Sequence, residues 1–205
     1  MQDLLVATVI HDLKNELAVL TGSLATMTRN ASGTALESEV RRSRAIADRL
    51  SKNLVSFLTI YRAEQHGLPV CCSDHNPGDF LHDLVKGQPL PANSPSVRVA
   101  TNESVAPFWF FDAYLVQLAM EAALHNALRF ARSAIDMSAH TRDSFLVMVV
   151  EDDGPGPGAA GAPSTGLGTA LCSAIAEAHR NGDRRGKVTL GTRPGGGAIF
   201  EMWLP

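Results

Sequence analysis

His11 and Asp12 stand side by side early in the chain, and Asn15 follows four positions after His11. At helical pitch this spacing puts the imidazole and the amide on one face. A neutral, solvent-facing imidazole is a competent nucleophile, and an adjacent carboxylate can orient it or take its proton. Farther on, Glu151-Asp152-Asp153-Gly154-Pro155-Gly156 follows a strongly apolar segment. A carboxylate at a strand end can accept from an exocyclic amine, and glycines just after it let the backbone approach a flat base and its phosphates. Gly166-Leu167-Gly168-Thr169 opens a helical pattern whose first N–H groups suit an anionic phosphate. Asn126 sits in a segment otherwise rich in Ala and Leu, and its amide oxygen is a hard ligand for a magnesium ion bridging phosphates. Each feature also has a plain reading, namely a solvated helix face, a flexible loop, a Gly-rich helix start and a surface Asn.

Other patterns carry less. Gly182 to Lys187 is too short for a Walker loop and follows no strand, and a dinucleotide fingerprint lacks its third glycine after Gly166 and Gly168. The remaining histidines show no paired ligand spacing, and adjacent Cys71-Cys72 with His75 suit a tetrahedral zinc site poorly.

The elements that must position these residues differ between the two parts of the chain. Before Gly67 there is no proline, and the only glycines are Gly22 and Gly33; all eleven prolines lie from Pro69 onward. This shift places a domain boundary at 67/68. In residues 1–67, Val6, Ile10, Leu13, Leu17, Leu20, Leu24 and Met27 alternate spacings of four and three. After Asn30-Ala31-Ser32-Gly33 the pattern resumes through Leu36, Val40, Ser43, Ala47, Leu50, Leu54, Phe57 and Tyr61. A mean spacing of 3.5 is the seam of a coiled coil or four-helix bundle. Two helices alone cannot close such a core, so the pattern predicts a dimer in which two hairpins form four helices. The alternative is that the hairpin packs on its own C-terminal domain.

Residues 68–205 mix types. The patterns predict a helix over Pro77–Val85, strands over Val97–Thr101 and Phe108–Phe111, and a long helix over 112–131 with Asp112 as N-cap. A hairpin is expected from Ala134–His140 and Ser144–Val150, turning at Thr141-Arg142-Asp143. A Gly/Pro/Ala-rich loop to Thr165, a helix over Leu167–His179 and a final hairpin of Lys187–Gly191 with Ala198–Leu204 complete the chain. The expected fold class is α+β: an antiparallel two-helix hairpin forming a dimeric four-helix bundle, followed by an α/β sandwich with helices on one face of an antiparallel or mixed sheet.

Composition narrows the function. Apolar residues make up 45% of the 205 and charged residues 19%, enough to bury a core. A net charge of −3 gives no global footprint for nucleic acid. The longest apolar runs are too short to span a bilayer, and the start has no signal-peptide character. Three cysteines, two of them adjacent, argue against a disulfide framework and for a reducing cytoplasm.

Order and spacing together go further than any single motif. His-Asp-Leu-Lys-Asn on a first bundle helix is followed by Asn126-Ala-Leu-Arg-Phe-Ala, then Asp152-Asp-Gly-Pro-Gly, Gly166-Leu-Gly-Thr-Ala-Leu and a closing Gly-Gly-Gly-Ala-Ile-Phe-Glu-Met-Trp-Leu-Pro. This series resembles the catalytic core of bacterial sensor histidine kinases over nearly the whole chain. That resemblance implies a dimerisation and phosphotransfer hairpin joined to an ATP-binding domain of the gyrase/Hsp90/histidine-kinase/MutL type. It implies that His11 accepts the γ-phosphoryl group of ATP, that Asp12 is the base, and that Asn15 positions a water for dephosphorylating a response regulator. It further implies that Asn126 holds Mg²⁺, with Arg129 near the phosphates. Asp152 would read the adenine amine, Gly154 and Gly156 would shape that pocket, and Gly166 and Gly168 would lie at the lid's end. The implied partners are a second copy of the chain and a response regulator receiver domain.

Several positions depart from the family pattern. Ala122 stands four residues before Asn126, where the family carries Asn, Glu or His, and Glu121 is one step off, about 100° around the helix. Ala198 replaces a hydroxyl residue, the Pro157–Thr165 loop is short for a lid and has no aromatic residue, and Glu16 replaces a common proline. These departures motivate an alternative, a histidine phosphotransfer protein with a degenerate ATP-binding domain. A non-enzymatic adaptor that sequesters a regulator is a third reading.

Overall fold

The computed structural model describes residues 2–31, 36–88, 90, 93–101, 105–157 and 166–205, with side chains from Leu13 onward apart from Lys14 and Thr101. Two compact units divide at Tyr61/Arg62. The first consists of α1 (Gln2–Asn30) and most of α2 (Glu37–His66). The four-three spacing separates into two stripes along each helix. Leu17 and Leu24 of α1 and Val40, Leu54 and Tyr61 of α2 are half-buried, and Ala47 is buried. The alternating members, Leu13, Leu20 and Met27 on α1 and Leu36, Ser43, Leu50 and Phe57 on α2, are exposed. Residues seven apart recur on one side of a helix, so each helix carries one covered and one open apolar stripe.

The second unit is built on a five-stranded sheet with strand order β2-β4-β5-β9-β8. Its strands are β2 (Ser96–Thr101), β4 (Ala134–Arg142), β5 (Phe145–Asp152), β8 (Lys187–Thr192) and β9 (Ala198–Leu204). The sheet is mixed: β2 runs parallel to β4 and every other pair is antiparallel. Helices α3 (Pro77–Lys86), α4 (Ala113–Phe130) and α5 (Leu167–Ala178) pack on it. Period-two alternation sends Leu146, Met148 and Val150 of β5 into the core with Ile135, Met137, Met202 and Leu204. Leu81, Met120, Leu124, Leu171 and Ile175 of the helices complete this core. The other face carries a smaller cluster of Val147, Val149 and Trp203, flanked by Phe145 and Ile199.

The helix over residues 112–131 appears as α4 with Asp112 as its N-cap, the carboxylate Oδ1 accepting from Leu115 N at 3.0 Å. Asp112 does more than cap. Its Oδ2 accepts from Cys71 N at 2.9 Å, and its own N–H donates to His179 Nε2 at 3.1 Å. The β4–β5 turn is the two-residue Asp143-Ser144, both at positive φ (51° and 62°), rather than Thr141-Arg142-Asp143. Two left-handed residues match the twist of the flanking strands, and this extends β4 to Arg142. The strand expected over Phe108–Phe111 appears as β3 (Trp109–Phe111), paired outside the main sheet with β1 (Ser73–His75), while β1 and the β6 (Arg180–Asn181)–β7 (Arg184–Arg185) ladder had no counterpart in the sequence-based expectation. Strands of two or three residues have too few positions to show alternation.

Candidate nucleotide-binding site

The site builds from the C-terminal end of β5. Asp152 is buried at 5% exposure although it is a carboxylate, so its partners matter. Oδ1 accepts from Gly154 N at 2.8 Å and from Ala198 N at 3.3 Å. Thus Ala198, which cannot offer a side-chain hydroxyl, supplies a backbone N–H instead. Oδ2 takes no hydrogen bond among the described residues, which leaves an acceptor for a ligand amine.

Glycines make the close approach possible. A Cβ on Gly154 would lie 2.5 Å from the Phe130 carbonyl oxygen at the end of α4. A Cβ on Gly197 would run into the Asp152 carbonyl. Gly156 holds φ +84°, with Gly197 O at 3.1 Å from where its Cβ would be. The Asp152–Gly156 loop, the end of α4 and the β8–β9 turn therefore converge on one spot.

Asp153 fastens this arrangement, and sequence reasoning gave it no role. Its carboxylate accepts from Ser133 Oγ at 2.6 Å, from Ser133 N at 3.0 Å and from Arg132 N at 2.7 Å. The Ser133 hydroxyl first, and then the backbone N–H groups, hold its pKa well below the usual carboxylate range. The signal available in sequence was Ser133 just beyond a helix end, paired with a second acid after Asp152, but nothing local says that they meet.

Asn126 and Arg129 are exposed on α4, and the Arg129 guanidinium lies 5.2 Å from the Phe130 ring centroid. One turn before Asn126 stands Ala122, which has no donor atom, while Glu121 accepts from Gln117 Nε2 at 2.8 Å. Gly166 is the N-cap of α5 at φ +68°, a left-handed conformation that favours glycine, and it makes no side-chain cap. Gly168 is exposed, with open space around its missing Cβ. The intervening loop, residues 158–165, lies outside the described residues.

A cleft of ≈ 470 Å³ opens beside the loop, between Arg132, Asp153–Pro155 and the Arg193–Gly197 turn. Of the expected site residues only Gly154 lines it. Arg193 on its rim reaches Asp136 at 3.6 Å and Glu151 at 3.7 Å, tying the β8–β9 turn to β4 and β5. The cleft flanks the Asp152 carboxylate but is not formed by it.

His11 and Asp12 lie in the backbone of α1, and their side chains fall outside the described residues. Asn15, one turn on, is exposed. His179 and Cys172, by contrast, are structural. Both imidazole nitrogens of buried His179 are engaged, Nε2 by Asp112 N–H and Nδ1 by the Ile175 carbonyl, and burial lowers its pKa. Burial pushes the Cys172 thiol up to about 12.

Residues 111–205 match the family described as histidine kinase-, DNA gyrase B- and HSP90-like ATPase. The match supports a histidine kinase-like ATP-binding catalytic core in this part of the chain. Over its full length it is 27% identical to the Escherichia coli (strain K12) sensor protein KdpD, and it spans about a quarter (24%) of that relative's length. Among solved structures, the Acinetobacter baumannii histidine kinase AdeS matches with a TM-score of 0.65 at 17% identity, covering 95% of this chain and 96% of that one. Full-length ShkA, solved in complex with AMPPNP, matches at 0.68 and 21% identity over 97% of this chain and 45% of its own. At these identities the structural matches bear on the fold of the core, an α+β arrangement of helices followed by a mixed-sheet ATPase domain. Among the described residues no helix is long and apolar enough to cross a membrane.

Proposed function

We propose that this chain is the ATP-dependent histidine kinase core of a two-component system, with residues 1–67 as its dimerisation and phosphotransfer hairpin and residues 68–205 as its catalytic domain. The observation that carries this reading is the buried Asp152 carboxylate, one oxygen held by two backbone N–H groups and the other left to accept from an adenine amine. The glycines beside it let the chain close tightly on this carboxylate, since a Cβ at Gly154 would meet the Phe130 carbonyl oxygen and one at Gly197 the Asp152 carbonyl.

In the proposed reaction a neutral imidazole nitrogen of His11 attacks the γ-phosphorus of ATP. The phosphorus–oxygen bond to ADP breaks, ADP keeps the electron pair, and the ring proton passes to Asp12. Catalysis is then mainly positioning and charge neutralisation. Asn126 would supply one oxygen to Mg²⁺, which neutralises phosphate charge when bound. Arg129 and the first turn of α5 after Gly166 and Gly168 would face the phosphates. The phosphoryl group would pass next to an Asp of a response regulator receiver domain in the cytoplasm. Asn15 would orient the water if the same core also dephosphorylates that partner. The open heptad stripe, Leu13-Leu20-Met27 with Leu36-Leu50-Phe57, supports a second copy of the chain as the partner that completes a four-helix bundle.

Incubation with γ-labelled ATP and Mg²⁺ tests the reading. Acid-labile label on the wild type that vanishes in His11→Gln is expected, and acid-stable label, or label that survives the substitution, sinks it. Asp152→Asn is expected to weaken ATP binding at least tenfold, since a site built to accept from an amine discriminates by 2 kcal/mol or so when that acceptor changes, about thirtyfold.

One observation favours a second reading, a histidine phosphotransfer protein with a degenerate nucleotide site. Ala122 offers no metal ligand and Glu121 is held by Gln117. That reading expects His11 to take phosphate only from a phosphorylated receiver domain, with no label from ATP.

A further inference from the structure

At the end of the sheet remote from Asp152, three cations gather over two aromatic rings. Phe145 and Trp203 stand edge to face, with centroids 6.1 Å apart. The Arg142 guanidinium lies 5.3 Å and the Lys187 ammonium 4.6 Å from the Trp203 centroid. The Arg184 guanidinium lies 5.7 Å from the Phe145 centroid and donates to the Ser144 carbonyl at 2.8 Å. The register explains the gathering: Arg142 pairs with Phe145, and Lys187 pairs with Trp203. All three cations are exposed, and they gather on the sheet face opposite the core packed by α3, α4 and α5, where Val147 and Val149 are nonetheless buried.

Their charge is hardly compensated. Arg142 meets Asp143 only at 3.8 Å, both side chains being more than half exposed. Glu201, next along the face, accepts from Thr189 Oγ1 at 2.7 Å and Trp203 Nε1 at 3.3 Å and, among the described residues, forms no ion pair with the three cations. Lys187 and Arg184 have no ion pair among the described residues. In a chain of net charge −3 this is a local reversal of sign, and three like charges around one ring pair repel one another until an anion joins them.

We propose that the Arg142–Arg184–Lys187 cluster over Phe145 and Trp203 is a docking surface for an acidic segment of a partner protein. Guanidinium forks recognise carboxylates bidentately, and contact with an aromatic floor limits the conformations they must give up on binding. A membrane surface fits less well. Trp203 is only 7% exposed beneath its cations and Phe145 is half-buried, so neither ring stands proud to insert between headgroups. The cluster lies a full strand from Asp152, roughly 23 Å at 3.3 Å per residue, so occupancy leaves the nucleotide site open.

Anisotropy of a fluorescein-labelled octaglutamate peptide, titrated with the full chain at 0.15 M NaCl, is the test. Saturable binding is expected. Arg142→Glu with Lys187→Glu should weaken it at least tenfold, while Arg41→Glu with Arg44→Glu, the same charge change on α2, should leave it within twofold. If the glutamate variant does not fold by circular dichroism, Arg142→Gln with Lys187→Gln should still weaken binding several-fold. Absence of binding to the wild type, or equal losses in the α2 variant, overturns the proposal. So does an Arg142-dependent preference for phosphatidylserine vesicles over the peptide.

Discussion

The two units of this chain bury their apolar residues to very different degrees. In the sheet unit Phe111, Met120, Met148 and Leu171 are wholly buried, sealed by helices that pack on their own sheet. In the helical unit the only buried residues among those described are Ala47 and Ser56, while Leu13, Leu20, Met27, Leu36, Leu50 and Phe57 stay exposed. One unit satisfies its own hydrophobic pattern. The other satisfies half of it and leaves an exposed heptad stripe, the kind of surface that further helices cover in a bundle. This difference teaches that the sheet unit closes its own core, whereas the helical unit, on the function proposed above, would gain a covered stripe from a second copy.

The largest expected effect lies in the helical unit. Leu20→Glu with Leu50→Glu should convert a dimer into a monomer in multi-angle light scattering while ATP binding is retained. A wild type that is already monomeric at micromolar concentration would break the comparison. Next, Met148→Ala in the sheet should cost about 2–5 kcal/mol in urea unfolding, because a sealed core cannot collapse onto the cavity. Leu50→Ala should cost far less in a unit held monomeric by Leu20→Glu. Third, Asp153→Asn should raise the ATP dissociation constant several-fold by calorimetry without changing oligomeric state, since it loosens the Arg132-Ser133 clamp beside Gly154. The smallest effect concerns His179. Its folded pKa is depressed, so as pH falls below the unfolded value of about 6.5 the unfolded chain takes up the proton first. Stability from this group is complete above that pH and is lost as pH falls. Thermal melts from pH 7.5 to 5.5 should show a steeper decline in the wild type than in His179→Gln.

Particular residues show what was legible. Asp112 reads as an N-cap from its position before an apolar-periodic run, and it is one. Its second bond, to Cys71 N, joins residues 41 apart and has no local signature. The adjacent pair Asp152-Asp153 reads as a strand-end acidic pair. Strand alternation requires the two carboxylates to point apart, but which one is buried and which one clamps Ser133 depends on what lies on each side of β5. Ala198 reads as a lost hydroxyl, yet the register of β9 brings its backbone N–H to Asp152 in compensation.

By itself the sequence determined the helical and strand periods, the break in texture near Gly67, and the order of motifs that resembles a histidine kinase core, because these depend on near neighbours along the chain. Only the tertiary structure decided which member of each four-three pair stays open to a partner. It alone also decided that Asp153 anchors the end of α4 and that three cations converge over Trp203. Those outcomes depend on the register between strands and the burial of whole faces, which bring together residues that no sequence spacing relates.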